Sequence, residues 1–481
     1  MGIERRGPTR FRDLPWGRVL AQRTVVTGLL LALAVAAMPE GHPAWALWAV
    51  LAFLALWNTA ALAVRWMLGR HGRSAREDGS APWEEAGHVL KGVTPDGDRE
   101  PGGLRVFRIS HSAVVTAWRE RERILRRRGV DVVLVTAARW PEGGSTVEFR
   151  ADGDDQFAIP VRTWGTHPNA FLFDPRPLWH LLGDSSWDLI DLHEEPFGLA
   201  VAEVLILRWL RGRTTPFLVS SAQNIYKLFP PPFRWIERWS LRHAAGAYTC
   251  NVEAGRILRR KGLRGELALV PLGVDLSRFQ PADREPPRDR LRVGFVGRLV
   301  RVKGAAVLLE AVALDSRLEA HLYGGGSGAD HLRAQAAALG IADRVTLHGH
   351  VDESVLPVVF PTFDVLAVPS IPVPGALEQF GRVVVEAHAS GVPVVASDCG
   401  ALPEVVGAGG LLVPPGDPGA LCAALVGILE HPGRWTALRE TGRTEVERFS
   451  WTRVADLTQD LYESAAERPV TVDVAVPNLS S

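Results

Sequence analysis

The stretch Pro369–Ser397, PSIPVPGALEQFGRVVVEAHASGVPVVAS, decides how the rest of the chain is read. It sets Glu378 and Glu386 in the spacing E-x7-E, with Phe380 and Gly381 just after the first glutamate. Arg382 to Ser390 reads as a short helix, stopped by Gly391 as a C-cap residue with Pro393 beyond it. Val392 to Ser397, short and β-branched, reads as a buried strand. Gly381 then stands at a loop-to-helix junction, where free backbone N–H groups and the helix dipole favour an anion such as phosphate. Glu378 lies before the helix and Glu386 inside it. The layout suits a nucleotide-sugar, with phosphate in the middle and a hydroxyl-rich ring at either end. A hydrolytic acid/base pair fits worse, because its carboxyls stand about 5 to 10 Å apart, whereas eight helical residues rise about 12 Å. The two glutamates read as separate hydroxyl clamps. The plainer alternative is a pair of solvated carboxylates on an ordinary α/β helix.

Upstream, VGFVGRLVRVKG (Val293–Gly304) sets Arg298 and Lys303 after an apolar strand and before a helical stretch. Two cations there strengthen their hold as charge builds on a diphosphate leaving group; the bland reading is two solvated loop charges. Lysine occurs only as Lys91, Lys227, Lys261 and Lys303, the other cations being arginine. HLYGGGSG (His321–Gly328) reads as a glycine-rich turn that shapes a cleft, with no side-chain role.

A charged, Pro-rich joint, PADREPPRDR (Pro281–Arg290), separates this half from an earlier one with the same βαβ rhythm. That half starts with a strand at Leu104–Ile109, a loop carrying His111, a helix over Val115–Arg128 and a strand at Val130–Ala137. It continues through strands at Trp187–Leu192, Phe217–Ser220 and Ala247–Cys250. The expectation is two Rossmann-like domains, 104–280 and 281–448, a last helix over 449–467, and a patternless tail over 468–481. Sheets of this kind bind ligands at the carboxyl ends of their strands. His193, in DLHEEPF, ends such a strand, with Glu194 or Glu195 placed to orient it; a satisfied structural histidine is the other reading. Gln223 and Asn224, in SSAQN, sit at a comparable strand end. Trp118–Arg128 mixes charge signs at i, i+4 and reads as a solvated face. Phe229–Arg242 interleaves aromatics with arginines. It reads as a helix packed on the sheet with arginines outward, or as a segment touching a membrane surface or lipid acceptor.

No Asp-x-Asp motif falls at a strand end, and Asp154-Asp155 reads as a turn. Cys250, Cys399 and Cys422 lack metal-ligand spacing and read as buried small residues in a reducing compartment. Lys+Arg 54 balance Asp+Glu 54, so no nucleic-acid footprint is indicated. Ahead of everything stand a basic stretch (1–23) and two apolar runs, about 24–38 and 44–68, the second long enough to span a bilayer. Arginines flank the pair and are absent from its turn, which predicts a transmembrane hairpin with both ends cytoplasmic. For the first run a cleaved signal peptide is an alternative, and for both runs a buried soluble hairpin. Residues 71–103 read as a linker.

Six pieces carry a family resemblance: VGFVGRLVRVKG, HLYGGGSG, RVTLHGHV (Arg344–Val351), DVLAVPS (Asp364–Ser370), EQFGRVVVEAHASGVPVVAS (Glu378–Ser397) and GLLVPPGD (Gly410–Asp417). In order and spacing they resemble the donor-binding core of family 4 retaining glycosyltransferases. The resemblance covers about 104–467 and none of the first hundred residues. It implies a GT-B fold, two Rossmann-like domains facing a central cleft, here preceded by the N-terminal transmembrane helical hairpin. It also implies transfer of a hexosyl unit, with retention, from a UDP- or GDP-linked sugar to a saccharide or lipid-linked acceptor in envelope or exopolysaccharide synthesis. The site expected from it has His193 and Glu378 as catalytic groups at the donor sugar and Glu386 on the ribose. Arg298 and Lys303 would hold the diphosphate, and backbone N–H groups near Phe380 and Gly381 the sugar. His111, Gln223 and Asn224 would lie on the acceptor side, although Ser110-His111-Ser112 replaces the family's usual twin glycines. No cofactor or metal is expected, and the enzyme is expected on the cytoplasmic face of the cell membrane. The alternatives are a GT-B nucleotide-sugar epimerase and a non-catalytic, membrane-bound nucleotide-sugar scaffold.

Overall fold

A computed structural model describes residues 103–467, apart from 143, 144 and 185. The hairpin expected over 24–38 and 44–68, the linker up to residue 102 and the tail 468–481 lie outside the described residues. Among the described residues no helix is long and apolar enough to cross a membrane.

Up to Leu269 the chain forms β1 (Arg105–Ile109), β2 (Asp131–Ala137), an antiparallel pair β3 (Arg139–Glu142) and β4 (Ser145–Glu148), and β5 (Ala158–Val161). A second antiparallel pair follows, β6 (Thr163–Trp164) and β7 (Leu172–Phe173), then β8 (Leu189–Leu192), β9 (Phe217–Ser221), β10 (Gly246–Thr249) and β11 (Glu266–Leu269). Seven of these make one parallel sheet in the order β11-β10-β9-β8-β1-β2-β5. From Leu291 come β12 (Leu291–Val296), β13 (Leu318–Tyr323), β14 (Val345–Gly349), β15 (Val365–Val368), β16 (Val394–Ser397) and β17 (Gly410–Val413). They form a second parallel sheet, β14-β13-β12-β15-β16-β17.

Parallel strands need crossover connections, which lay helices on both faces and bury the strands on both sides. Accordingly β1, β8, β9, β15 and β16 are buried along their whole length. The first sheet packs one face on Phe107, Val133, Ile190 and Val204. Its other face packs Val106, Val132, Leu189 and Leu218 against Val454, Leu461 and Tyr462. Those last three belong to the final helix, Trp451–Ala466, which returns from the second domain to cover the first.

Both sheets reverse their strand order once, between β8 and β1 and between β12 and β15. At such a switch point the loops leaving two neighbouring strands run to opposite sides and open a crevice. The loops after β1 and β8 carry His111 and His193; those after β12 and β15 carry Arg298, Lys303 and Glu378. Topology alone thus brings the expected residues to two crevices.

Two readings of the first domain need correction. The helix expected over Val115–Arg128 is two 3-10 turns, His111–Val114 and Thr116–Arg119, followed by a shorter helix, Glu120–Arg127. Extended Val115 (φ −77°, ψ 123°) separates the turns. This helix is also not a solvated face, because Arg119, Arg121 and Glu122 are buried. Alternating charge reads as solvent-facing only when the partners lie on the same helix. Here they come from elsewhere: Arg108 pairs with Glu122 at 2.8 Å, and Arg119 with Asp155 at 2.7 Å.

Candidate active site

In the second domain the site is built by pressing two loops together. Ile371 N–H donates to the carbonyl of Val302 at 2.9 Å. Gly304 has φ 69°, and a Cβ there would stand 1.8 Å from the carbonyl oxygen of Pro369, so the approach depends on glycine. The result brings Lys303 Nζ to 2.7 Å from Glu378 Oε2, while Ser370 Oγ donates to the same oxygen at 3.0 Å. Arg298, from the same loop, is exposed and makes no ion pair among the described residues. One cation expected at the diphosphate and the carboxylate expected at the sugar are therefore one bonded pair, with a second cation of the same loop, Arg298, unneutralised among the described residues.

Gly381 opens the helix Arg382–Ala389 with φ 89°, and a Cβ on it would meet Leu402 at 2.7 Å. No side chain caps this terminus; Val384 N–H turns back to the Gly381 carbonyl at 2.8 Å, which leaves the N–H groups ahead of it for a ligand. The Phe380 ring is buried edge-to-face against Phe449, centroids 5.7 Å apart, which leaves its backbone as the part that can serve a ligand. Glu386, one turn into the helix, is buried and accepts from Arg382 Nε at 3.2 Å; Arg382 also pairs with Glu353. Burial raises the Glu386 pKa to about 7, with Arg382 opposing the rise. Glu386, Arg382 and Glu353 line a small cleft with Trp118 of the first domain, over whose ring the Arg382 guanidinium lies at 5.1 Å.

In the first domain the structure moves a partner. Glu194 does not orient His193; it binds His111, accepting from its backbone N–H at 2.7 Å and meeting its Nδ1 at 2.7 Å. Glu195 turns away to accept from Ser221 Oγ at 2.7 Å and Ala222 N–H at 2.9 Å. His193 instead meets the Tyr248 hydroxyl through Nδ1 at 2.8 Å, its ring stacked on the tyrosine. Tyr248 donates its one proton to Asp191 Oδ1 at 2.9 Å, so His193 Nδ1 must be the donor to Tyr248. This leaves Nε2 as an acceptor for a ligand hydroxyl. Burial, then the charges of Arg108 and Arg121, hold the His193 pKa well below its ordinary value, keeping the ring neutral. The tyrosine sits mid-strand in an apolar run, where sequence pattern marks it only as core. Tyr248→Phe is expected to shift the His193 ring-nitrogen resonances toward the other tautomer. A denaturant melt should fall by roughly 1–3 kcal/mol, the cost of a buried partner lost.

The first domain also grips the loop that carries Glu378. Asn224 Nδ2 donates to the Glu378 carbonyl at 2.6 Å, Asn251 Nδ2 to that of Gln379 at 2.8 Å, and Lys227 Nζ to that of Gly375 at 2.9 Å. Asn224 is buried at this contact rather than lining an open surface; Gln223 beside it is half-buried. In sequence, Asn251 ahead of a helix reads only as an N-cap. It is that as well, accepting from Ala254 N–H at 2.7 Å. Among the described residues no group of three or more His, Cys, Asp or Glu is arranged to hold a metal ion.

Residues 290–431 match the model described as "Glycosyl transferases group 1", and residues 112–273 that described as "Glycosyl transferase 4-like domain". The chain is 34% identical over 238 residues to the D-inositol 3-phosphate glycosyltransferase 2 of Catenulispora acidiphila, covering 45% of this chain and 55% of that protein. Over 221 residues it is 38% identical to the D-inositol 3-phosphate glycosyltransferase of Geodermatophilus obscurus, covering 41% and 47%. It thus spans about half the length of the curated relatives it matches. In fold it is similar to the sucrose-phosphate synthase of Thermosynechococcus elongatus (TM-score 0.56, 24% identity, 75% of this chain and 98% of that one). It is likewise similar to Anabaena HepE, solved in complex with UDP and glucose (TM-score 0.58, 18% identity, 75% and 100%). Together these show two Rossmann-like domains in the GT-B arrangement, each matching a glycosyl-transferase domain model over most of its length.

Proposed function

We propose that the chain is a glycosyltransferase of the family 4 type, moving a hexosyl unit from a nucleoside-diphosphate sugar to an acceptor hydroxyl with retention at the anomeric carbon. The observation that carries this reading is the Lys303–Glu378 pair held by Ser370, with unneutralised Arg298 on the same loop as Lys303 and the uncapped helix at Gly381 close in sequence to Glu378. A neutral sugar hydroxyl cannot neutralise Arg298, whereas a diphosphate can and has charge left to share Lys303 with Glu378. In the proposed complex the diphosphate takes Arg298 and shares Lys303 with Glu378, whose carboxylate accepts from the sugar hydroxyls. Glu386 accepts from the ribose hydroxyls, and N–H groups near Phe380 and Gly381 hold the sugar. The bond from the anomeric carbon to the β-phosphate oxygen breaks with its electron pair going to phosphate. The acceptor oxygen forms the new bond and its proton passes to the departing phosphate. Charge building on that phosphate is what Arg298 and Lys303 bind more tightly in the transition state. His193, across the cleft, accepts a sugar hydroxyl at Nε2. The acceptor is a lipid-linked glycan, and the first seventy residues hold the enzyme on the cytoplasmic face of the membrane.

The test incubates the full chain with UDP-, GDP- and ADP-sugars, alone, with a membrane lipid extract, or with inositol 3-phosphate, for which the curated relatives are named. Nucleotide release from one donor that requires the lipid extract supports the whole reading. Release with inositol 3-phosphate only keeps the transferase and overturns the lipid acceptor. Release without acceptor points to an epimerase or hydrolase.

A pH dependence follows from Glu386. Its folded pKa of about 7 lies above the ordinary 4.5, so between those values the folded chain holds a proton that the unfolded chain has lost. That contribution to stability is complete below pH 4.5 and is lost as pH rises through about 7. Donor binding runs the opposite way, because only the carboxylate accepts from both ribose hydroxyls. Donor KM is expected to rise as pH falls through about 7, and Glu386→Gln is expected to flatten that profile.

A further inference from the structure

We infer that the helix Phe233–His243 rests on an anionic lipid surface. Its inward stripe is Glu237, Ser240 and Leu241, two of the three polar. Its tryptophans stay outside that stripe: Trp235 is 59% exposed, and Trp239, although its ring packs on Phe217 and His243, is still 44% exposed. An amphipathic helix serving only its own core buries its largest apolar residues and turns its charges out. Here a glutamate lies inside, held by Lys261 at 2.6 Å, while one indole faces solvent and a second is left half-exposed. Arg234, Arg238 and Arg242 are exposed too, at i, i+4 and i+8, one position before each tryptophan and at the helix end. Residues four apart stack along a helix, so a row of guanidinium groups runs beside a row of indoles. None of the three arginines makes an ion pair among the described residues, and the helix has no acidic residue besides inward Glu237.

The segments around this helix point the same way. The loop before it exposes Leu228 at 69%, and the helix packed beside it, Leu199–Leu210, exposes Trp209 at 55%. Of the four exposed tryptophans among the described residues, only Trp164 stands elsewhere. A row of unpaired arginines calls for phosphate, and indoles with one apolar body and one N–H settle where headgroups meet acyl chains. A bilayer containing anionic phospholipid supplies both, and its negative surface attracts basic residues placed within a Debye length of it. The loop leading into the helix also carries Asn224 and Lys227, which reach the Glu378 loop. A membrane on this face therefore lies at the mouth of the cleft. That consequence, though not the docking itself, rests on the lipid-linked acceptor proposed above.

The test uses the full chain with Arg238→Cys carrying an environment-sensitive fluorophore. Asp330→Cys, on an exposed helix of the second domain, is the control position, and the unsubstituted chain sets the background from Cys250, Cys399 and Cys422. Samples are mixed with phosphatidylcholine vesicles, with and without phosphatidylglycerol, some doped with a doxyl-labelled lipid. At position 238, and not at 330, emission should shift to the blue and be quenched by the doxyl lipid when phosphatidylglycerol is present. Trp235→Asp with Trp239→Asp should raise the lipid concentration needed by about tenfold or more. A probe at 238 that stays in water while the chain sediments with the vesicles overturns the inference, leaving attachment through the first hundred residues alone. Equal quenching at 330, or water exposure reversed only by another protein, also overturns it. No donor or turnover enters the measurement, so its failure leaves the glycosyl-transfer reading untouched, and the reverse holds.

Discussion

Lys303→Met is expected to lower kcat roughly 100- to 1,000-fold, the scale seen when one preorganised donor to a developing anion is removed. The mechanism demands a kcat effect rather than a KM effect. Lys303 is already engaged, 2.7 Å from Glu378. Ground-state donor must share the ammonium with that carboxylate, and its attraction grows only as negative charge collects on the leaving phosphate. Loss of fold is not the expected cause of the fall. Glu378 keeps Ser370 Oγ at 3.0 Å, and water reaches the half-buried Lys303 side, so leaving the buried carboxylate short of one partner should cost about 1–3 kcal/mol and not the fold. Lys303→Arg restores the charge but not the point geometry and should recover part of the loss. Saturating-donor turnover decides the matter, with nucleotide affinity measured in parallel by calorimetry. An unchanged kcat would remove Lys303 from the chemistry.

Asp191→Ala is expected to destabilise the fold by about 3–5 kcal/mol, enough to consume much of the stability of an ordinary domain. Asp191 is fully buried and is the anion shared by Arg108, Tyr248 and Tyr462, with Arg121 at 4.0 Å. Glu122 supplies the second negative charge, 2.8 Å from Arg108 and 2.7 Å from Arg121. Without Asp191 two buried guanidinium groups share one carboxylate, and the uncompensated charge sets the cost. Replacing both sides at once, Arg108→Met with Asp191→Leu, should recover most of the loss if charge imbalance is the cause. A urea-melt double-mutant cycle measures the coupling directly. Near-additive losses would show that the knot matters through packing instead. The same variants disturb Tyr248, so His193 function should fall with them.

The second domain was the more legible half. Its strands, its glycine-started helix at Arg382 and the placement of Lys303, Glu378 and Glu386 all follow from local signals: apolar runs, a C-cap glycine and cations after a strand. The first domain was harder for a physical reason. Its candidate histidines are held by residues far away in the chain, His111 by Glu194 and His193 by Tyr248, and sequence pattern carries no long-range partner. Nearness in sequence suggested Glu194 or Glu195 for His193. Strand geometry instead points consecutive residues to opposite sides, and the partner comes from β10, two strands away. Buried Arg121 and Glu122 show the same limit. Their charges read as solvent-facing until β1 and β8 are placed beside them. Asn224 and Asn251 lie where the two sheets meet, so their acceptors on the Glu378 loop appear only once both domains are folded.

The returning helix Trp451–Ala466 has a consequence for the order in which the protein is made. The first sheet is complete by Leu269, yet one face of it stays bare until Val454, Leu461 and Tyr462 arrive. At about 5–20 residues per second, a ribosome needs roughly 10–40 s to deliver the intervening stretch. During that time Asp191 lacks its tyrosine from the helix, and Val106, Leu189 and Leu218 lie open to water. The nascent first half therefore presents a greasy, half-charged surface of the kind trigger chaperones hold. A stop codon placed before Trp451 should cost the N-terminal half as much as the C-terminal one.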